Sequence, residues 1–163
     1  MPTPTYTALA NITLGSSASS VTFSSIPTTG FRDLVLVIDN ATTSTNQEFN
    51  FRFNSDTGSN YSYVYAAAVA SGPESVSGSA QTQGRLGNIN TTAANHIMQV
   101  MDYSATDKHK TVLVRSNNVG ASQTWMLANR WASTSAVNTI RIFTGTGTTM
   151  PAGVSFALYG IRS

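Results

Sequence analysis

Hydrophobic and polar residues alternate with a period of two through most of this chain. The clearest case is residues 48–65, EFNFRFNSDTGSNYSYVY, where three phenylalanines and then three tyrosines occupy every second position of two runs. Such a period places alternate side chains on opposite faces of an extended strand. The residues between the two runs, 54–60, are of types that tolerate tight turns and positive φ angles. The stretch therefore predicts a two-stranded hairpin that is packed on one face.

Similar strand-like runs recur along the rest of the chain, separated by clusters of Gly, Pro, Asn and Ser. The predicted strands are Tyr6–Leu14, Val21–Ile26, Asp33–Asp39, Phe49–Asn54, Tyr61–Val69, His96–Tyr103, Thr111–Ser116, Trp125–Trp131, Val137–Phe143 and Val154–Ile161. No segment combines helical spacing of apolar residues with helix caps. The pattern predicts an all-β chain, an antiparallel β-sandwich with jelly-roll-like topology and about 8–10 strands.

A single domain accounts for the whole chain, because 163 residues suffice for one hydrophobic core. Within it we expect residues 1–10 to form an extended N-terminal arm. The run LVLVI at 34–38 is apolar on both faces and should be the most buried strand. Residues Ser71–Asn95 are polar and rich in Gly, which predicts a long loop. Loops of that length tend to be functional, so this one is a predicted contact surface.

Composition narrows the possible partners. Charged residues make up only 10% of the chain, against about 25% in typical soluble domains. Ser and Thr exceed a quarter of all residues, so hydroxyl groups replace charges on the predicted surface. The net charge is +2 and the basic residues are scattered. Because nucleic-acid affinity rises with the number of neutralised phosphates, no nucleic-acid partner is expected.

Disulfides and thiolate metal sites are excluded because the chain has no cysteine. No apolar run approaches the length of about 20 residues that a membrane span needs. The start, MPTPTYTALA, has neither the basic region nor the apolar region of a signal peptide. We therefore expect no membrane partner and no ordinary secretion.

Catalytic chemistry has little support among the titratable residues. The two histidines are His96, which opens an apolar strand, and His109, which lies between two lysines. Asp102 and Asp107 flank a turn, but nothing in the sequence makes them converge on one cleft, as glycosidase carboxylates must. No nucleophile-elbow motif is present. The sequence predicts no catalytic residue, no cofactor and no enzymatic activity.

The turn at 54–60 places oxygen-bearing side chains at every second residue, as in calcium-binding loops. The twelfth position, which holds a bidentate Glu in a full EF-hand loop, is Tyr65. A turn closed by Asx hydrogen bonds is the favoured interpretation, and a weak metal site is the alternative.

The two tryptophans, Trp125 and Trp131, are an even number of residues apart, so a regular strand places both on one face. With Arg130 they would suit a sugar-binding platform. Sandwich cores and subunit interfaces use Trp equally well, and we favour the core or an interface.

Four stretches of the sequence resemble small structural domains of tailed bacteriophages, especially those of cyanobacteria and other aquatic hosts. The stretches are FSSIPTTGFRDLVLVID, RFNSDTGSNYSYVY, VMDYSATDKHKTVLVR and WASTSAVNTIRIFTGTGTTMPAGVSFALYGI. The family pattern joins an IP-x-T-x-x-DL strand opening, an RFN-x-D-x-x-x-NY segment and a terminal LYGI. The matching residues are Ile26-Pro27-Thr28 with Asp33-Leu34, Arg52-Phe53-Asn54 with Asp56 and Asn60-Tyr61, and Leu158-Tyr159-Gly160-Ile161.

The resemblance implies a β-sandwich of the virion. Members of this family occur as capsid decoration (cement) proteins and in tail or fibre appendages, and they often have longer N-terminal extensions. The expected function is therefore capsid decoration, with the major capsid protein and other copies of the chain, as a homotrimer, for partners. The protein would be made in the host cytoplasm and lie on the capsid surface. The expected contact residues are Pro2, Pro4, Tyr6, Arg85, Trp125, Arg130 and Trp131.

Two other functions remain open. A tail-fibre or head-fibre adhesion module would contact host glycans through the polar loops and through Trp125 and Trp131. A glycan-active enzyme is the third possibility, and it lacks a convergent pair of acids.

Overall fold

A computed structural model describes residues 5–162, and regular structure in that range consists of twelve β-strands and one short 3₁₀ turn at Val119–Ala121. The strands are β1 (Tyr6–Thr13), β2 (Ser20–Phe23), β3 (Asp33–Ala41), β4 (Gln47–Phe53), β5 (Tyr61–Val69), β6 (Gly72–Gln81), β7 (Gly84–Ile89), β8 (Ala94–Met101), β9 (Lys110–Asn118), β10 (Gln123–Trp131), β11 (Ile140–Thr144) and β12 (Ser155–Ile161).

The strands form two sheets whose buried faces enclose one core. The large sheet has the order β1-β12-β3-β8-β9-β10-β5-β6, and the small sheet has the order β2-β11-β4-β7. All the pairings of the named strands are antiparallel. The predicted all-β, jelly-roll-like antiparallel sandwich is therefore confirmed, although twelve strands in the described range exceed the expected number.

The additional strands lie within Ser71–Asn95, where the sequence pattern predicted a long loop. That prediction is wrong. β6 pairs with β5 at the edge of the large sheet, and β7 pairs with β4 at the edge of the small sheet. The sequence of β6, GPESVSGSAQ, is almost wholly polar because neither of its faces is fully covered. Backbone hydrogen bonds to β5 hold it in the sheet, and such bonds leave no hydrophobic period in the sequence.

The predicted hairpin at 48–65 is also wrong, because β4 and β5 belong to different sheets. The turn at 54–60 carries the chain from the small sheet across to the large one. The two aromatic runs consequently face each other through the core. The backbone amide of Phe53 donates a 3.0 Å hydrogen bond to the Tyr61 hydroxyl, and the Phe51 and Tyr61 rings meet edge to face at 6.2 Å.

The core is rich in aromatic side chains from both sheets. Phe49, Phe51 and Phe53 point inward from β4 and are fully buried, as the alternation predicts. In the run 34–38, Leu34, Leu36 and Ile38 are fully buried, but the two valines between them are half-buried on the outer face. The expectation of burial on both faces is met only on the inner one, because no element covers the outer face of the large sheet within residues 5–162.

The N-terminal segment is a strand from Tyr6 onward. β1 pairs with β12 of the same chain, so residues 6–10 of the expected extended arm form part of the edge strand of the large sheet. Pro2 and Pro4 lie outside the described residues.

Candidate functional site

Exposed hydrophobic side chains converge on the outer face of the large sheet, over its four neighbouring strands β8, β9, β10 and β5. We call this surface the outer patch and define it by Val64, Ile97, Leu113 and Met126. Their exposed fractions are 51%, 38%, 44% and 62%. Strand register brings them together, because Leu113 and Val64 both flank Ala128, while Ile97 and Met126 flank Arg115.

The outer patch lines a shallow depression of about 630 Å³. Arg115, Gln99 and Ser75 contribute its polar groups. Arg115 forms no ion pair with any residue of the range 5–162, so it stands as a free cation among apolar neighbours. Large contiguous apolar patches often mark contacts with other molecules, so this surface is a candidate contact site. Here the rest of the surface is rich in hydroxyls and amides, which makes the patch more distinctive.

The signal for the outer patch is present in the sequence. β9 contains the consecutive apolar residues Val112, Leu113 and Val114, and β10 contains Trp125, Met126 and Leu127. A strand with apolar residues in both phases is apolar on both faces. One face lies in the core. The apolar residues of the other face are then either covered by another molecule or exposed to solvent.

Trp125 and Trp131 are 3% and 2% exposed, and both point into the core from β10. The prediction that they share one face, and the core interpretation, are confirmed. The sugar-platform alternative and their assignment as contact residues are wrong, because the small sheet and β5 side chains cover both rings. Trp125 packs against Tyr65 at 4.9 Å, and Trp131 packs against Phe53 at 5.5 Å between ring centroids.

Arg85 is likewise buried, which corrects its assignment to a contact loop. Its guanidinium lies over the Tyr65 and Trp125 rings, 5.2 Å and 5.7 Å from their centroids. The same group pairs with the Glu48 carboxylate at 3.2 Å and donates to Asn88 at 2.9 Å. Arg85 therefore joins the edge of the small sheet to the large sheet.

Two of the predicted contact residues, Tyr6 and Arg130, are exposed. Tyr6 lies on the edge strand β1, whereas Arg130 lies on β10, with four strands of the sheet between them. The structure does not bring them together, and their role in contacts stays a prediction. Arg130 donates to Nδ1 of His109 at 2.6 Å.

His96 is fully buried, and its Nδ1 lies 3.0 Å from the Leu86 carbonyl oxygen. Burial lowers the pKa of His96 to about 4, so the ring is neutral at physiological pH. Its edge-to-face partner is Phe49 at 5.1 Å. Within residues 5–162, neither His96 nor His109 contacts a carboxylate. His96 is therefore a core residue, and His109 is a surface residue.

The turn at 54–60 contains the Asx hydrogen bond that the sequence predicted. Asp56 Oδ1 accepts from the Gly58 amide at 2.8 Å, and Oδ2 accepts from Asn60 at 2.9 Å and Trp131 at 2.6 Å. Both carboxylate oxygens thus bind protein donors. In the described part of the chain, no three His, Asp or Glu side chains group together as metal ligands would.

Comparisons with known proteins concern the fold alone. No family model and no curated protein sequence is similar to this chain. Among solved structures, galectin LEC-6 of Caenorhabditis elegans is 14% identical with a TM-score of 0.36, over 91% of this chain and 94% of the galectin. The xylan β-1,4-xylosidase of Bacillus halodurans C-125 is 9% identical with a TM-score of 0.35, over 82% of this chain and 28% of the enzyme. The alginate lyase of Aplysia kurodai is 10% identical with a TM-score of 0.31, over 86% of this chain and 70% of the lyase.

The chain thus spans less than a third of the xylosidase. As for membranes, none of the residues from 5 to 162 belongs to a helix with the length and apolar character of a membrane span.

Proposed function

We propose that this chain is a non-enzymatic structural protein that binds an assembled protein surface through the outer patch. The observation that carries the proposal is the exposure of Val64, Ile97, Leu113 and Met126 on adjoining strands. A sheet presents such side chains on a broad, shallow surface, which suits a partner that is itself broad and folded. Because each side chain is already about half-buried, covering the rest of it would contribute about 1 kcal/mol.

The partner we propose is the capsid shell of a tailed bacteriophage, and the role is decoration. The phage-like stretches of the sequence support the choice of partner, and the outer patch supports a docking function. Copies of the chain, associated as trimers, would cover the junctions between major capsid proteins. A protein that binds only the assembled shell stabilises the shell against disassembly by mass action.

The number of copies per virion tests the role. A decoration protein should occur in hundreds of copies, which densitometry of virion proteins on a gel would measure. A count of only a few copies would overturn the decoration role and favour the appendage alternative, a fibre module that contacts host glycans.

The docking surface has its own test with purified protein and emptied capsid shells. Leu113→Glu and Met126→Glu each place a charge in the outer patch, and we expect a loss of affinity of about tenfold or more. The matched control is Thr22→Glu, an exposed position on the outer face of the small sheet. Co-sedimentation measures binding, and circular dichroism verifies the fold. Equal binding by all three variants would contradict the assignment of the surface.

A further inference from the structure

A second candidate site lies on the opposite side of the molecule, on the outer face of the small sheet. Arg52 on β4 and Arg141 on β11 are directly opposite each other in the antiparallel register. Both guanidiniums lie over the Phe143 ring, 4.9 Å and 5.2 Å from its centroid. One aromatic ring thus lies close to both guanidiniums.

Acidic side chains of residues 5–162 leave these two cations unpaired. Neither forms an ion pair with any residue between 5 and 162. Glu48, the acidic residue that lines the groove, is paired with Arg85 at 3.2 Å. Like charges directly opposite on neighbouring strands destabilise a sheet. An anion bound between Arg52 and Arg141 would remove that repulsion.

The Arg52 guanidinium is held in a defined orientation. Its Nε donates to the Thr82 carbonyl oxygen at 3.0 Å, and one terminal nitrogen donates to Gln83 Oε1 at 3.1 Å. Arg141 makes a single long contact, 3.4 Å, to the Ser20 hydroxyl. Donors therefore remain available on both groups. A planar guanidinium that is already oriented suits bidentate binding of a planar carboxylate.

The surroundings of the arginine pair indicate what carries the carboxylate. The groove has a volume of about 560 Å³, and its other walls bear amides and hydroxyls. These side chains include Gln47, Asn50, Gln83 and Thr144. Neutral amides and hydroxyls of this kind form hydrogen bonds with hydroxyl groups of a ligand. The volume lies within the usual range for small-ligand sites, about 300–1,000 Å³.

We propose that this groove binds an acidic saccharide, a sugar that carries a carboxylate group. The carboxylate lies between Arg52 and Arg141, and the amides bind the sugar hydroxyls. Two guanidiniums would also suit a phosphate ester, but the amide and hydroxyl walls favour a ligand that carries several hydroxyl groups, as a saccharide does. This site is independent of the outer patch, since the two lie on different sheets.

Isothermal titration calorimetry with short oligogalacturonates tests the proposal. The neutral arm uses galactose oligomers of the same length, and a third arm uses inorganic phosphate. We expect binding of the acidic oligomer only, with affinity that falls as salt concentration rises. Arg141→Gln and Arg52→Gln should each weaken binding about tenfold or more.

Arg162→Gln is the matched control, because this exposed arginine also lies over an aromatic ring, that of Phe31 at 5.5 Å, but follows β12 of the large sheet, and it should leave saccharide binding unchanged. Thermal denaturation verifies the fold of each variant. If Arg52→Gln does not fold, the binding result for Arg141→Gln, at an exposed position, tests the proposal by itself. Absence of binding, equal binding of the neutral sugar or of phosphate, or equal affinity in Arg141→Gln would overturn the proposal. None of these results bears on the outer patch, whose tests use capsid shells.

Discussion

The indole nitrogen of Trp131 donates a 2.6 Å hydrogen bond to the Asp56 carboxylate. Trp131 ends β10 in the large sheet, and Asp56 lies in the turn that carries the chain from the small sheet to β5. Asn60 and the Gly58 amide donate to the same carboxylate. This one carboxylate therefore fastens the crossing between the two layers to the end of a core strand.

Removing the Asp56 carboxylate should destabilise the fold. Asp56→Ala leaves the Trp131 N–H without a partner and opens the turn, which we expect to cost about 1–3 kcal/mol of unfolding free energy. Urea denaturation at neutral pH measures the change. Asp107→Ala is the control, because Asp107 is exposed and makes no ion pair within the described range, and it should change stability by less than about 0.5 kcal/mol. Equal effects of the two substitutions would contradict this role of Asp56.

Acid should weaken the same connection. Burial by itself raises the pKa of Asp56, but the hydrogen bonds from Trp131, Asn60 and Gly58 outweigh it and hold the pKa below its usual range. Since the folded pKa is the lower one, the contribution to stability is complete above the unfolded pKa and is lost as pH falls through the folded value. NMR titration of the Asp56 carboxyl carbon would measure the folded pKa. A value at or above that of a free aspartate would contradict the prediction.

His96 should make the protein less stable in mild acid. Burial lowers its pKa to about 4, against about 6.5 in the unfolded chain. Because the unfolded state takes up the proton first, stability is complete above pH 6.5 and declines by about 3 kcal/mol as pH falls to 4. Urea denaturation across this pH range should show the decline in the natural sequence.

His96→Leu should flatten that part of the pH profile, since no histidine in the core remains to be protonated. The matched control is His109→Gln, at an exposed position, and its profile should follow that of the natural sequence. An unchanged slope in His96→Leu would show that other groups cause the acid sensitivity.

Lys110 is fully buried, and its ammonium group holds together the segments around it. It donates to the carbonyl oxygens of Ala105 at 2.7 Å, Lys108 at 2.9 Å and Thr134 at 3.4 Å. Lys110→Met keeps the length of the side chain but removes all three donors. We expect a loss of about 1–3 kcal/mol in unfolding free energy, because three carbonyl oxygens lose their charged hydrogen-bond donor.

The control for this change is Lys108→Met. Lys108 forms an exposed ion pair with Asp102 at 3.5 Å, so its removal should cost less than about 1 kcal/mol. Hydrogen exchange of residues 104–109 should accelerate in Lys110→Met and keep its original rate in Lys108→Met. Faster exchange of this segment in Lys108→Met than in Lys110→Met would contradict the structural role of Lys110.

Gly84 provides a test of packing within the small sheet, because it lies directly opposite Phe51 on the neighbouring strand. A Cβ atom at this position would lie 2.1 Å from the Phe51 ring, which is itself fully buried. Gly84→Ala should therefore destabilise the fold by about 1–3 kcal/mol through overpacking. Gly15→Ala has open space around its Cβ and serves as the control. Differential scanning calorimetry compares the two, and an unchanged melting temperature in Gly84→Ala would contradict the packing.

The alternation of residue types was a sufficient guide wherever one face of a strand is buried. It located β10 and predicted that Trp125 and Trp131 share a face, because inward and outward positions differ strongly there. It failed at β6, whose one large apolar side chain, Val76, is itself exposed. It failed at β7 as well, where Gly84 and Gly87 supply no side chain to reveal a period.

The candidate sites were harder to predict than the strands. Three consecutive apolar residues in β9 show that both faces are apolar, but not that Leu113 is the exposed one. Arg85 lies in a polar, glycine-rich stretch that reads as a loop, and only the fold brings it over the Tyr65 and Trp125 rings. Arg52 and Arg141 are far apart in sequence, and the pairing of β4 with β11 makes them neighbours.

By itself the sequence determined the all-β class, the position of most strands and the inward direction of residues such as Phe51. These are local properties, since the period of two and the turn residues act within a few residues of each other. The tertiary structure alone decided which sheet each strand joins, so that the run 48–65 bridges two layers rather than forming a hairpin. It also decided which outer surfaces stay uncovered, because non-local hydrogen bonds and packing choose among pairings that the local pattern leaves equivalent.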